Sequence, residues 1–315
     1  MTDAASISRL LHTALERDDP AGALDTSDAY FAAASDIAGE AWFLRGQVAE
    51  KAGDYARAYR SYRRAGADED SDPQRLNYLG HFFLNTGCPR EATDIFARLD
   101  TRLPGHPDVM TAHARALLEA GAYRESAAVW EKLATTSAAG DVRLQLALAK
   151  TLAGDADGAL DMLGGAGNMI AELIVELHQR DMLRPAMHVA TRATAMFADE
   201  PQAWNYRGVV AAALGDVGDA VRSYDKALAL GGADPDVLFN LGSVHAASGS
   251  TATALDTFDR ALRLRPDDIR VLRYYADCTR LGAGDPVFKT LQRLSASQNL
   301  SDIDRASVEY ALGKA

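Results

Sequence analysis

Two cysteines, Cys88 and Cys278, are the only thiols in this 315-residue chain. They fall in distant parts of the sequence, so an internal bridge is not expected and a reducing cytoplasm is. Long apolar runs are missing as well. None approaches the roughly 18 residues of a spanning helix, which argues against membrane insertion. The start, Met1-Thr2-Asp3-Ala4-Ala5-Ser6, lacks the basic and apolar regions of a signal peptide. Positive charge is in short supply: Lys and Arg total 33 against 44 Asp and Glu, a net charge of -11. Binding nucleic acid needs a basic face to neutralise phosphates, so that partner class is excluded. The seven histidines include no pair at i,i+4 with an acid between them, which removes the helical zinc site, and no metal or other cofactor is expected. No Ser/His/Asp set can be placed together, so no catalytic residue is assigned. Gly164-Gly165-Ala166-Gly167 follows no strand and precedes no Lys-Ser or Lys-Thr. It reads as a turn rather than a phosphate loop.

What the chain has is a phrase that returns about every 34 residues. One copy reads Trp204, Arg207-Gly208, Gly215, Ala220, Tyr224, Ala227. Others read Trp42, Arg45-Gly46, Gly53, Ala58, Tyr62, Ala65; Leu76, Leu79-Gly80, Gly87, Ala92, Phe96; and Leu238, Leu241-Gly242, Gly249, Ala254, Phe258, Ala261. Two amphipathic helices and a short turn account for this spacing. Gly46, Gly80, Gly208 and Gly242 on the first helix and Ala58, Ala92, Ala220 and Ala254 on the second stand where helices touch, and a large residue there would force the axes apart. Gly53, Gly87, Gly121, Gly154, Gly215 and Gly249 each follow an apolar run and suit the left-handed residue beyond a helix end. Pro73, Pro107, Pro201 and Pro235 sit where a helix starts and a missing N–H is harmless. A hydrophobic content of 48% is enough for a folded chain.

On these residues the chain resembles the tetratricopeptide (TPR) repeat family. The resemblance implies an all-α, right-handed superhelical solenoid of about eight to nine helix-turn-helix repeats. The expected layout is a degenerate N-terminal repeat over 1–38, three regular repeats over 39–140, and two degenerate repeats over 141–200. Two near-consensus repeats follow over 201–268, then a degenerate repeat and the start of an incomplete one over 269–315. In 167–200, Arg180-Asp181-Met182-Leu183 replaces the usual turn.

A repeat array of this kind offers a curved surface rather than an enclosed active site, and the family's first helices line its concave groove. The expected partner is a protein or peptide held there. The inward stripe recurs at i, i+4 and i+8. In the later repeats it gives Asn205, Phe239, Ser243 and Arg273, flanked by Tyr206, Asn240, Arg270 and Tyr274. Asparagines there suit a peptide backbone, arginines suit a carboxylate or phosphate, and the rings would otherwise expose apolar area. A second candidate stripe is Asn77, His81, Asn85 and Arg115. Carboxylate-clamp members of the family use a Lys, Asn and Arg set. Here the first-helix Lys is absent and Arg273 falls one residue from the family's Arg place.

The C-terminal segment carries a second resemblance. Residues 285–315 include Asp285-Pro286, Leu291, Leu294, Leu300-Ser301, Asp304-Arg305 and Ala311-Leu312-Gly313-Lys314-Ala315. This segment looks like the junction in bacterial proteins where a TPR array precedes a sulfotransferase domain. It implies that 1–315 is the non-catalytic recruiting region of a larger bacterial transferase, with Leu312-Gly313 opening a further repeat. A TPR region serving a protein glycosyltransferase and a stand-alone adaptor or assembly scaffold are the alternatives. Self-association through the C-terminal end of the solenoid is a further expectation.

Overall fold

A glycine facing an aromatic ring sets the closest approach in four of the helical hairpins. In the computed structural model an added Cβ at Gly80, Gly208 or Gly242 would lie 2.6, 2.6 or 2.5 Å from the ring of Phe96, Tyr224 or Phe258, respectively, and one at Gly46 would run into the ring of Tyr62. Each ring is fully or almost fully buried. The missing side chain on the first helix is therefore the space that the ring of the second helix fills.

The structure describes residues 4–16, 19–33, 37–66, 72–136, 139–297 and 299–314. Residues 1–3 and Ala315, which carry part of the readings at the two ends of the sequence, lie outside the described residues. Among the described residues there are 19 helices and no strand. The expected all-α array of helical hairpins is what the chain forms.

The chain divides into two compact units, Met1–Ala153 and Gly154–Ala315. The division falls inside the segment expected to hold the degenerate repeats. The first unit contains α1 (Ala4–Glu16), α2 (Pro20–Ala33), α3 (Gly39–Lys51), α4 (Tyr55–Gly66), α5 (Pro73–Asn85), α6 (Pro89–Arg102), α7 (Pro107–Glu119), α8 (Tyr123–Thr136) and α9 (Gly140–Leu152). Its core runs from Ile7 and Leu11 through Tyr62, Leu76 and Phe96 to Val109 and Ala116. The second unit contains α10 (Ala156–Leu163), α11 (Gly167–Gln179), α12 (Leu183–Met196), α13 (Pro201–Ala213), α14 (Val217–Gly231), α15 (Pro235–Ala247), α16 (Thr251–Leu264), α17 (Ile269–Cys278), α18 (Pro286–Ser295) and α19 (Asp302–Lys314).

Helix ends follow the sequence signals. Asp72, Asp234 and Asp268 sit just before helices and accept hydrogen bonds from first-turn backbone N–H groups, which meets part of the donor deficit there. The turns at Gly53, Gly87, Gly121, Gly154, Gly215 and Gly249 use a left-handed residue. Gly215 has φ +77°, its N–H donates to the Ala212 carbonyl at 3.0 Å, and the Asp216 N–H donates to that of Ala211 at 2.9 Å. The Arg180-Asp181 turn has the same form without glycine. Asp181 takes φ +58°, donates to the His178 carbonyl at 3.0 Å, and is followed by Met182 donating to Leu177 at 2.8 Å. The turn that the sequence replaces is thus kept in shape by an aspartate in a glycine conformation.

The same hairpin exchanges large for small. The positions held by Gly208 and Tyr224 in α13 and α14 are held by Ile174 and Ala190 in α11 and α12, and both are buried. At the C-terminal end the pattern changes again. α17 has 10 residues and stops at Thr279 in extended conformation. α19 packs on both α17 and α18, burying Val308 and Ala311 against Leu272, Ala276 and Leu291.

Candidate functional site

The sequence-derived residues of the later repeats fall on α13, α15 and α17. On α15 and α17 they meet. The rings of Phe239 and Tyr274 stand edge to face with centroids 5.2 Å apart, and Phe239 leans on the buried Phe258 at 6.4 Å. Tyr274 is 38% exposed, so this pair offers solvent an aromatic face that is braced from beneath.

Two guanidinium groups flank the rings. Arg270 lies over Phe239, 5.1 Å from the ring centroid. It also donates to Asp236 at 2.7 Å and to Asp268 at 2.9 Å. Asp268, the capping residue of α17, therefore fixes the helix start and the arginine together. Asp268 and Asp236 hold the Arg270 guanidinium above its already high ordinary range. Hydrogen bonding from Arg270 in turn holds the Asp236 carboxyl below the usual carboxylate range, with Arg265 adding a second contact at 3.0 Å. Arg273 differs. Its guanidinium lies over two rings, 5.9 Å from Tyr274 and 5.3 Å from Tyr310 of α19, with no ion pair among the described residues. Tyr310 and Lys314 both donate to Asp277, at 3.3 and 2.6 Å. Phe239, Tyr274, Arg273 and Tyr310 thus form one chain of three rings and a cation across α15, α17 and α19. Tyr310 escaped the sequence reading because its partners come from the direct packing of α19 on α17.

The remaining residues of this set are placed otherwise. Ser243 donates its hydroxyl to the Phe239 carbonyl at 2.8 Å, within its own helix. Asn240 is half-buried on α15. Asn205 is half-buried on α13, and its Oδ1 is enclosed with no hydrogen-bond partner among the described residues. Tyr206 does not join the ring chain. It lines a separate pocket with residues of α11 and α12.

In the first unit Asn77, His81 and Asn85 of α5 and Arg115 of α7 are all exposed, and His81 sets its ring edge to face on the buried Phe96 at 5.2 Å. A neighbouring cluster lies on α3 and α5. Phe43, Gln47, Arg75 and Tyr78 line an open hollow between α3 and α5, where Phe43 and Tyr78 stand 5.3 Å apart. Tyr62 and Tyr78 both donate to Glu50, at 2.8 and 2.7 Å. Burial then raises the phenol of Tyr62, assisted by Tyr78 and Glu50. Among the described residues no His, Cys, Asp and Glu group is arranged to hold a metal, and no helix is long and apolar enough to cross a membrane.

Comparison with curated proteins found no match. Among solved structures, the chain is similar to the APC/C hetero-tetramer Cut9–Hcn1 at 16% identity, covering 98% of this chain and 72% of that one with a TM-score of 0.40. It is similar to a thermophilic TPR protein of Thermus thermophilus at 20% identity, covering 66% and 98% with a TM-score of 0.31. It is also similar to YrrB, a TPR protein with an unusual peptide-binding site, at 15% identity, covering 67% and 95% with a TM-score of 0.32. Family models of the tetratricopeptide repeat match residues 39–65, 184–235 and 211–269. Tetratricopeptide repeats therefore run through 39–65 and 184–269, and the second stretch contains Asn205, Tyr206, Phe239, Asn240 and Ser243.

Proposed function

We propose that this chain is a non-catalytic protein-binding module and that the exposed face of α15 and α17 is its main partner site. The carrying observation is the braced aromatic pair Phe239 and Tyr274 beside Arg273. Rings held in place lose little entropy on binding, and a guanidinium with no carboxylate partner can receive one from a bound chain. Arg270 has the other task of holding Phe239 in position through Asp236 and Asp268. Asn240 supplies an amide group for a peptide backbone, and the exposed stripe Asn77, His81, Asn85 and Arg115 is the second candidate site.

A photo-crosslinking residue at position 247, one turn beyond Ser243 on the same stripe, tests the reading. It should give a discrete crosslinked partner that a probe at position 225, on α14, does not give. A Phe239→Ala, Arg273→Ala double variant should lose that product and weaken binding by on the order of 2 kcal/mol or more. Unchanged binding by the double variant would place the site elsewhere.

The finer reading, a recruiting region for a bacterial sulfotransferase-like enzyme, rests on the phrase in 285–315. The family matches end at residue 269. Its test is separate: sequencing the gene past residue 315 and assaying the encoded protein with a labelled phosphosulfate donor. Without donor-dependent transfer to the bound partner, the adaptor reading stands.

A further inference from the structure

The degenerate hairpin borders a pocket. It lies between α11, the end of α12 and the start of α13, and holds about 300 Å³. Three features of the sequence open it. Gly167 begins α11 with no side chain, and a Cβ there would stand 3.7 Å from the Phe197 ring. Ala171 occupies the stripe position that Phe43 and Phe239 fill in other repeats. Ala193, facing the same space, is also small and is buried. Ile170, Ile174 and Phe197 make the remaining walls apolar, while the exposed Glu200 and half-buried Tyr206 line it nearer the solvent.

One charged side chain lines this pocket, Glu200; the other lining residues are apolar, Gly, Asn, Gln or Tyr. Glu200 makes no ion pair among the described residues. An apolar hole with an uncompensated carboxylate at its rim favours a guest that is apolar at its centre and cationic at its edge.

We infer that the α11–α13 pocket anchors one bulky apolar side chain of a partner polypeptide, flanked in that partner by Lys or Arg. This rests on the protein-binding reading above and adds the chemistry of the partner and a second anchor point. The apolar walls take the side chain, and Glu200 meets the adjacent cation. The Tyr206 hydroxyl and the Gln202 amide face the partner's backbone. A partner engaged here and at Arg273 would carry a basic apolar segment and a separate carboxylate.

Three blocked peptides test the pocket on the full chain: Ala-Lys-Phe-Lys-Ala, Ala-Glu-Phe-Glu-Ala and Ala-Lys-Ala-Lys-Ala. Binding is read from methyl NMR shifts of Ile170, Ala171 and Ile174, with Val237 and Val271 reporting on the α15–α17 face. The Lys-Phe-Lys peptide should shift the α11 methyls and bind about three- to fivefold tighter than Glu-Phe-Glu, the scale of a partly exposed charge pair. The Lys-Ala-Lys peptide should not shift them. Ala171→Phe should fill the pocket and abolish the shifts. Glu200→Gln, a surface change that leaves the fold intact, should remove the charge preference. The proposal fails if the α11 methyls stay still with Lys-Phe-Lys, respond equally to Lys-Ala-Lys, or show no preference over Glu-Phe-Glu. If only the Val237 and Val271 methyls move, the pocket is excluded while the α15–α17 reading survives. If the crosslinked partner of position 247 binds wild type and Phe239→Ala alike, that reading falls whatever the pocket does.

Discussion

The ring of Tyr224 occupies the place where Gly208 would carry a side chain: an added Cβ would lie 2.6 Å from Tyr224 Cε1. Ring and glycine are therefore one packing unit. Gly208→Ile should destabilise the second unit by about 3 kcal/mol through overpacking, and Tyr224→Ala by about 3–5 kcal/mol through the cavity it leaves. The double variant copies the Ile174 and Ala190 arrangement of the neighbouring hairpin. Urea denaturation should show it losing at least about 1 kcal/mol less than the sum of the singles. Additive losses would mean that the two positions do not share one space.

Asp181 holds a left-handed backbone, φ +58°, at a turn where six other hairpins use glycine, at Gly53, Gly87, Gly121, Gly154, Gly215 and Gly249. Asp181→Gly should raise stability by about 0.5–1 kcal/mol, since an L side chain is strained there and glycine is not. Asp181→Val should lower it, because a β-branched residue tolerates this conformation least. Thermal melts of the two variants should shift in opposite directions.

Arg207 grips Asp219 with two hydrogen bonds, Nε to Oδ2 at 3.1 Å and Nη2 to Oδ1 at 3.0 Å, and Asp219 is 8% exposed. Asp219 also stands in the first turn of α14, where a negative charge is favoured. Asp219→Ala should destabilise by about 3 kcal/mol, because it strands a mostly buried guanidinium. Replacing both residues by apolar ones of similar size should recover much of that loss. Denaturant midpoints of single and double variants measure the difference.

Asp236 carries a pH signature. Arg270 depresses its folded-state pKa below the ordinary carboxylate value, so the stabilisation is present above the unfolded pKa and is lost as pH falls through the folded one. Both partners are about half exposed, which keeps the contribution below about 1 kcal/mol. Asp236→Asn should therefore lower the melting temperature slightly at about pH 7, and the gap to wild type should close as pH falls below the ordinary carboxylate range. A gap that stays constant across that range would remove the ion pair from the account.

Legibility in the sequence followed the physics of each contact. Gly208 and Tyr224, Gly215 and Pro201 each sit in a steric niche with one good occupant, so the hairpins and their turns could be read directly. Phe239, Arg270 and Tyr274 could be placed on neighbouring helices because the repeat fixes which faces align. What Arg270 does could not be read. Its partners, Asp236 in the preceding repeat and Asp268 at its own helix cap, compete for it, and only geometry decides. Tyr310 was out of reach because α17 stops early at Thr279, which lets α19 pack where the repeat rule does not put it. The α11–α13 pocket was hidden for another reason: Gly167, Ala171 and Ala193 are unremarkable singly and open a space only when helices bring them together.

The reversed pair Ile174 and Ala190 also affects which helices can find each other during folding. Arrays of similar hairpins risk mating a first helix with the second helix of another repeat. If α11 paired with α14, Ile174 and Tyr224 would compete for one space. If α12 took the place of α14 in the α13 hairpin, Gly208 and Ala190 would face each other across a void. A hairpin with its steric code inverted would thus act as a key, penalising the exchanged pairings and favouring sequence order among the helices of this unit.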